Sequence, residues 1–373
     1  MRHPLHAICP YFAMFPEGFV EEHVARFTKP GEGLVFDPFA GRGTTLFQSL
    51  LMGRRAAAVD VNPVAYCVTG AKARVPRLSQ VLDRVNELDV CYHAQTNGAL
   101  EAERQALPPF FRVCFSPSTL RELLFLREYL DWRGDALDRF IAALSLGCLH
   151  GETGKPMQYF SNQMPRTIST KPEYSLRYWR RNGLRPPRRD AFRILRERAA
   201  YRLQGPRPAR AGIVRLGDAR GAARLLPRLR RAVDLVVTSP PYFDVTNFEE
   251  DQWLRLWFLG YEPRPTYGRI SGDDRYDQKE PYWRFLREAW AGIAPLVKPS
   301  AVLVCRMGGR GMGPEELTEG LLASLLPAFP RARMRPGPAR SAVRNRQTTS
   351  FRPGAEGCRY EWDYVLTLGS PGS

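Results

Sequence analysis

Lysine is scarce in this chain: of 55 basic residues only six are lysine and 49 are arginine. Histidine is scarcer still, and His3, His6, His23, His93 and His150 stand at no spacing that would let two of them share a metal ion. The seven cysteines (Cys9, Cys67, Cys91, Cys114, Cys148, Cys305, Cys358) are odd in number, dispersed, and contain no Cys-x-x-Cys pair. That usage supports neither a disulfide frame nor a zinc site, so they are expected to be reduced core thiols and no metal is expected. No apolar run approaches the roughly twenty residues a membrane helix needs, and Met1-Arg2-His3-Pro4 leads into no signal-peptide core. The expectation is a protein that stays in the cytoplasm and makes no membrane contact. Internal repeats are missing too, and the one biased tract is the Arg/Pro-rich stretch from Gly205 to Arg210.

What the chain does have is length and positive charge. At 373 residues and 44% hydrophobic residues it can bury one large α/β core and still carry an inserted module. The formal net charge is +17, and nearly all of it lies between Arg166 and Arg231, where nineteen arginines and Lys171 face only Glu173, Asp190, Glu197 and Asp218. A solvated face or a coding bias toward arginine is the plain explanation of such a run. Phosphate contact is the functional one, because each neutralised phosphate releases counterions. Interleaved Tyr174, Tyr178, Trp179, Phe192 and Tyr201 add stacking surfaces, which favours a nucleic-acid partner.

The apolar run Val233-Asp234-Leu235-Val236-Val237 ends in Thr238-Ser239-Pro240-Pro241-Tyr242. Neither Pro240 nor Pro241 has an N–H to give, so this strand tip is stiff and presents carbonyls and a hydroxyl. An acceptor cluster beside an aromatic plate suits a flat ring with an exocyclic amino group: cytosine, adenine or guanine.

Two hundred residues earlier, Leu34-Val35-Phe36-Asp37-Pro38-Phe39-Ala40-Gly41-Arg42-Gly43-Thr44-Thr45 reads as strand, glycine turn and helix start, with Thr44 or Thr45 as helix cap. A lone Gly-x-Gly after a strand is more often an ordinary turn, and the third glycine of the dinucleotide fingerprint is missing. The next strand, Ala56-Ala57-Ala58-Val59-Asp60, adds an acid where a doubly wound sheet places one for ribose hydroxyls. A cofactor containing a nucleoside follows.

Together, Asp37-Pro38-Phe39-Ala40-Gly41-Arg42-Gly43-Thr44-Thr45, Asp60-Val61-Asn62-Pro63 and Thr238-Ser239-Pro240-Pro241-Tyr242 resemble the S-adenosylmethionine-dependent amino-methyltransferases of DNA, in the Ser-Pro-Pro-Tyr branch that methylates the N4 amino group of cytosine. The resemblance covers about 9–75 and 213–369. It implies a Rossmann-like methyltransferase sheet, S-adenosyl-L-methionine as cofactor, and double-stranded DNA with a flipped-out base as partner. A cognate restriction endonuclease and a nucleoid-associated location also follow from it. By resemblance the cofactor contacts are Phe15, Asp37, Phe39, Ala40, Gly41, Gly43, Thr44, Thr45, Asp60, Asn62 and Asp218, and the catalytic tip is Ser239, Pro240, Pro241 and Tyr242. Packing alone explains Tyr11, Phe12 and Phe15 equally well.

The expected organisation is a doubly wound α/β core in two halves, 1–75 and 211–373, flanking a mainly helical, Arg-rich target-recognition insertion at 76–210. Helices are expected at 16–27, 63–73, from Ser116-Pro117, at 136–149 and at 314–326, with strands at 301–305 and 364–368 and another that resumes the core at Gly212 and ends in Gly217-Asp218. The aromatic stretch 243–260 reads as a helix packing on the sheet. Asn162, Gln163 and Arg166 suit base edges and phosphates, and the basic loop 344–350 is placed to line a pocket for a flipped nucleotide. The cofactor half precedes the catalytic tip, which is the direct arrangement and not the circularly permuted one. No strong base near Ser239 is evident or required. Hydrogen bonds from the target amino group to Ser239 Oγ and the Pro240 carbonyl would free the nitrogen lone pair, and Tyr242 would stack on the base. The alternatives are an RNA amino-methyltransferase, an adenine-N6 DNA methyltransferase, and a non-catalytic nucleic-acid-binding protein that keeps the fold.

Overall fold

A computed structural model describes residues 2–11, 15–95, 98–151, 158–161, 171–244, 248–266, 268–270, 277–335, 337–342 and 360–369. Phe12, Asn162, Gln163, Arg166, Cys358 and the loop 344–350 lie outside the described residues. The chain divides into two compact units. One comprises Phe12–Thr69, Arg207–Asn247 and Gly268–Ser373, the other Met1–Tyr11, Gly70–Pro206 and Phe248–Tyr267.

The first unit is built on a sheet of β1 (Leu34–Asp37), β2 (Arg55–Asp60), β3 (Ile213–Leu216), β4 (Val233–Thr238), β5 (Val297–Met307), β6 (Arg333–Met334), β7 (Ala339–Ala342) and β8 (Tyr360–Thr367). β1 is buried throughout and β2 from Ala56 to Val59, as expected of central parallel strands covered on both faces. The order is β3-β2-β1-β4-β5-β8-β6, with β7 also paired to β8. β1 runs parallel to β2 and β4, β2 to β3, and β4 to β5, whereas β8 is antiparallel to β5, β6 and β7. The fold is therefore the doubly wound, Rossmann-like α/β sheet expected from the sequence. Winding reverses between β1 and β4, and in such sheets the carboxyl ends beside the reversal form the ligand-binding crevice.

Alternate residues of each strand supply two cores. Phe36, Val59, Val236, Leu303 and Tyr364 pack with Trp290 and Leu321, from the helices Lys279–Ile293 and Pro314–Leu325. Val35, Leu235, Val237 and Val304 pack with Phe15, Phe19, Val20 and Val24 on or beside α1 (Glu17–Phe27). α2 (Thr44–Leu51) follows β1, and α3 (Pro63–Ala73) follows β2. β5 and β8 are both longer than the expected strands, and their register opposes Arg306 to Asp363.

The second unit is mainly helical. Its longer helices are Leu78–Ala94, Pro117–Tyr129, Ala136–Cys148, Pro172–Arg181 and Ala191–Arg202. Short polar side chains start three of them: Ser116 Oγ accepts from Thr119 N, Asp135 Oδ1 from Leu137 N and Asp138 N, and Asp190 Oδ1 from Arg193 N. The stretch expected to pack as a helix on the sheet behaves differently. Phe243 stays with the sheet core, while the short helices Phe248–Asp251 and Trp253–Phe258 belong to the helical unit. Their aromatic stripe finds aromatic partners there, Trp253 lying 4.9 Å from Phe110 and Trp257 4.4 Å from Phe111 between ring centroids. Cys9, Cys67, Cys114, Cys148 and Cys305 are buried thiols in no disulfide, but Cys91 is exposed on helix Leu78–Ala94, contrary to the expectation of core thiols throughout. No described helix is long and apolar enough to cross a membrane.

Candidate active site at the carboxyl edge of the sheet

The turn after β1 is held by two acids, buried Asp37 and half-buried Asp60. Asp37 Oδ1 accepts from Phe39 N at 3.1 Å and from Thr238 Oγ1 at 2.6 Å, and burial pushes this carboxyl up to about 6 against the pull of those bonds. Asp60 Oδ2 accepts from Gly41 N at 2.7 Å and Oδ1 from Asn62 N at 2.8 Å; here burial pushes the carboxyl up to about 7. Ala40 N reaches Val59 O at 3.1 Å, so the turn is fastened to β2 at two points. Asn62 in turn accepts from Val64 N and opens α3.

Gly41 and Gly43 take φ of 52° and 74°. A Cβ at Gly43 would sit 2.7 Å from Thr69 Oγ1, whose hydroxyl is bonded to Gly41 O, so glycine is required there on two counts. The expected threonine cap of α2 is not formed. Gly43 holds the N-cap position with Thr44 beginning the helix, and Thr45 Oγ1 instead donates to Val237 O at 3.0 Å, tying α2 to β4. Arg42, to which the sequence alone assigns no role, is buried, bonded to Thr44 Oγ1 and paired with Glu17 at 3.2 Å.

The remaining expected cofactor residues are placed less uniformly. Phe39 turns its ring toward Phe285 and Trp290, at 5.8 and 6.4 Å. Phe15 is buried against Phe19. Asp218 stands at the end of β3, where Gly217 N bonds Asp60 O, and its carboxylate is chelated by Arg220 at 2.7–3.1 Å.

The tip Ser239-Pro240-Pro241-Tyr242 leaves β4 directly after the Asp37 contact. Tyr242 is 7% exposed, and its hydroxyl donates to Glu361 Oε1 at 2.9 Å. Glu361 Oε2 lies 3.4 Å from Arg306 Nη1, and Arg306 also donates to both oxygens of Asp363, at 2.6 and 2.8 Å, while covering the Phe19 ring at 4.1 Å. Burial raises the Glu361 carboxyl, opposed chiefly by the Arg306 charge. Antiparallel β8 begins at the edge where β4 and β5 end, and carries Glu361 to Tyr242, a contact that the sequence alone does not bring out. The acids of Tyr360-Glu361-Trp362-Asp363 were visible in the sequence, but their pairing with Arg306 depends on the β5–β8 register.

A cavity of about 410 Å³ lined by Arg230, Arg231, Lys298 and Phe329 lies at the opposite ends of β4 and β5 and shares no residue with this site.

The family model N6_N4_Mtase, described as DNA methylase, matches residues 3–69, which include the glycine turn and Asp60 but not the Ser239–Tyr242 tip. No curated protein matches the chain. Among solved structures, an rRNA methyltransferase, aviRa from Streptomyces viridochromogenes, is 15% identical over 98% of this chain and 90% of its own, with a TM-score of 0.35. TrmN from Thermus thermophilus is 12% identical over 98% of this chain and 52% of its own, with a TM-score of 0.38. A geranyl diphosphate methyltransferase in complex with GPP and sinefungin is 7% identical over 94% of this chain and 76% of its own, with a TM-score of 0.33.

Proposed function

We propose that this chain is an S-adenosyl-L-methionine-dependent methyltransferase that modifies the N4 amino group of a cytosine extruded from double-stranded DNA. The observation that carries the reading is the Thr238–Asp37 bond, which joins an amino-binding tip to a cofactor-type glycine turn at one edge of the sheet. The match of residues 3–69 to a DNA methylase family supports the same assignment.

The residues fit the cofactor. Each oxygen of Asp60 spends one acceptor site on a backbone N–H and keeps another for a ribose hydroxyl. Asp218, after the end of the adjoining strand, would accept from the adenine amino group, and the glycine turn would let the ligand approach the backbone. Bound there, the sulfonium supplies an already activated methyl group. The work left to the protein is placement, which can be worth roughly 7–11 kcal/mol of barrier. Ser239 Oγ and the Pro240 carbonyl accept the two N–H groups of the target and leave its lone pair free for in-line attack.

A nucleic-acid partner is supported by how the arginines of the helical unit are used. Arg84, Arg104, Arg121, Arg127, Arg193 and Arg196 pair with carboxylates. Arg177, Arg180, Arg181, Arg185 and Arg188 are exposed, and no carboxylate pairs with them among the described residues. Beside them Tyr174 is 55% exposed, with its ring 6.3 Å from that of Tyr178. Free guanidiniums next to exposed aromatic rings suit phosphates and bases. In this reading the helical unit holds the target, and a restriction nuclease reading the same sequence is a further partner.

The test is incubation with labelled S-adenosylmethionine and unmethylated genomic DNA, with total RNA and Ser239→Ala in parallel, followed by nucleoside digestion and mass spectrometry. N4-methyl-2′-deoxycytidine from DNA that disappears in the variant is the expected result. Label in RNA, in adenine or nowhere would overturn the substrate assignment.

A further inference from the structure

We propose that the cavity at the amino ends of β4 and β5 is a second binding site, which takes a small phosphate monoester with a flat apolar body. This site does not depend on the methyltransferase reading above.

The arginine run of the sequence ends in Arg230-Arg231, and these two belong to the sheet unit and not to the helical one. Both residues line the cavity, whose volume of about 410 Å³ is that of a small-molecule site. Val297, Phe329 and Leu368 line it too and are themselves buried, so its inner wall is apolar. Arg230 and Arg231 are exposed, and no carboxylate pairs with either among the described residues. Lys298 is the third cation of the lining, but its ammonium is engaged by Asp234 at 2.6 Å, whose other oxygen accepts from Leu34 N at 2.9 Å. Two guanidinium charges beside an apolar wall are what remain. A phosphate monoester carries about −1.5 to −2 charge near neutral pH, and its oxygens match the forked N–H groups of arginine. A carboxylate brings only one charge, and an ester group is needed to cover the wall.

The backbone at Arg231 points the same way. Its φ is 49°, in the left-handed region where a side chain is strained and glycine is at ease. Arg231 N donates to Pro295 O at 3.0 Å and Ala232 N to Leu296 O at 2.9 Å, so the turn is fastened to the chain entering β5 and the strain is held in place. Glycine would make this turn more easily. Arginine there sets a second guanidinium next to Arg230 on the cavity lining, and strain kept at a ligand clamp is a known use of such positions.

Isothermal titration of the full chain with phenyl phosphate tests the site, because this probe has neither ribose nor adenine to offer the glycine turn. Saturable binding of one probe per chain is expected. Arg231→Gly and Arg230→Gln should each weaken it about 10- to 100-fold, the range for losing hydrogen bonds to a charged group. Arg231→Gly should keep the wild-type circular dichroism, since glycine accepts the left-handed turn, so its loss of binding reads the missing guanidinium and not a damaged fold. Benzoate, with one charge, and inorganic phosphate, with no apolar body, should each bind at least about tenfold more weakly than phenyl phosphate. A wild-type protein that does not bind phenyl phosphate, or binding that neither variant weakens, would overturn the site. Benzoate or inorganic phosphate bound as tightly as phenyl phosphate would overturn the monoester assignment. None of these outcomes bears on methyl transfer, which the labelled-DNA assay tests separately.

Discussion

The Thr238 hydroxyl donates to Asp37 Oδ1 across 2.6 Å, with both residues shut off from water. It joins the last residues of β4 and β1, the two strands between which the sheet reverses its winding. The glycine turn and the Ser239–Tyr242 tip therefore keep a common register. Thr238→Val preserves the shape and deletes the donor, leaving the carboxyl oxygen to Phe39 N. The expected loss is about 1–3 kcal/mol, the cost of leaving a buried acceptor under-satisfied, read as a lowered urea midpoint. Unchanged stability would mean that the bond does not hold the strand ends.

Asp37 also makes stability depend on pH. Its folded value of about 6 lies above the ordinary 3.8, so its contribution is full below pH 4 and is lost as pH rises through 6. Asp37→Asn, which cannot ionise, should flatten the fall in unfolding free energy between pH 4 and pH 8 by about 3 kcal/mol. Identical pH slopes for wild type and variant would rule this account out.

Gly43→Ala should destabilise by about 1–3 kcal/mol, because it puts a side chain into left-handed backbone. It also brings a Cβ to 2.7 Å from Thr69 Oγ1. Adding Thr69→Ala removes that oxygen and the methyl beside it, and should recover part of the loss but not the part due to φ. A double variant no better than Gly43→Ala alone would show that crowding is unimportant.

The strands and glycine turn were legible because central parallel strands are continuous apolar runs and the turn has a fixed chemistry; β1, β3 and β4 fall where the apolar runs of the sequence place them. The site was legible where neighbours in sequence make it, as in Asp37 with Phe39 or Asp60 with Asn62. It was not legible where pairing of distant strands makes it. Glu361 lies 119 residues from Tyr242, and only the antiparallel β8 brings them together. The aromatic stripe of Trp253 and Trp257 correctly signalled burial, but hydrophobicity does not say which of two cores will take it.

The unpaired arginines carry a prediction about salt. Replacing Arg177, Arg181 and Arg185 by Gln should weaken DNA binding and lower the slope of log affinity against log salt by about 0.9 for each phosphate no longer neutralised. Arg193→Gln and Arg196→Gln, whose partners are Glu197 and Asp89, should leave that slope unchanged. Equal effects of the two sets would mean that the charge acts as a diffuse field and not as a patch.

If Asp60 holds the ribose as proposed, its protonation should be visible in binding. The ionised carboxylate accepts from Gly41 N and Asn62 N and still has room for two hydroxyls, whereas the acid surrenders one acceptor site. With its carboxyl near 7 in the free protein, ligand binding favours the ionised form, so S-adenosylmethionine affinity should rise from pH 6 to pH 8. Calorimetric titration across that range checks it, with Asp60→Asn as the control. The variant should bind roughly 10- to 100-fold more weakly, the equivalent of about 1.5–3 kcal/mol for hydrogen bonds to a charged acceptor, and should show no pH trend. If circular dichroism shows the variant folded and it binds as tightly as the wild type, Asp60 serves the turn alone, and the ribose must be held elsewhere on the carboxyl edge.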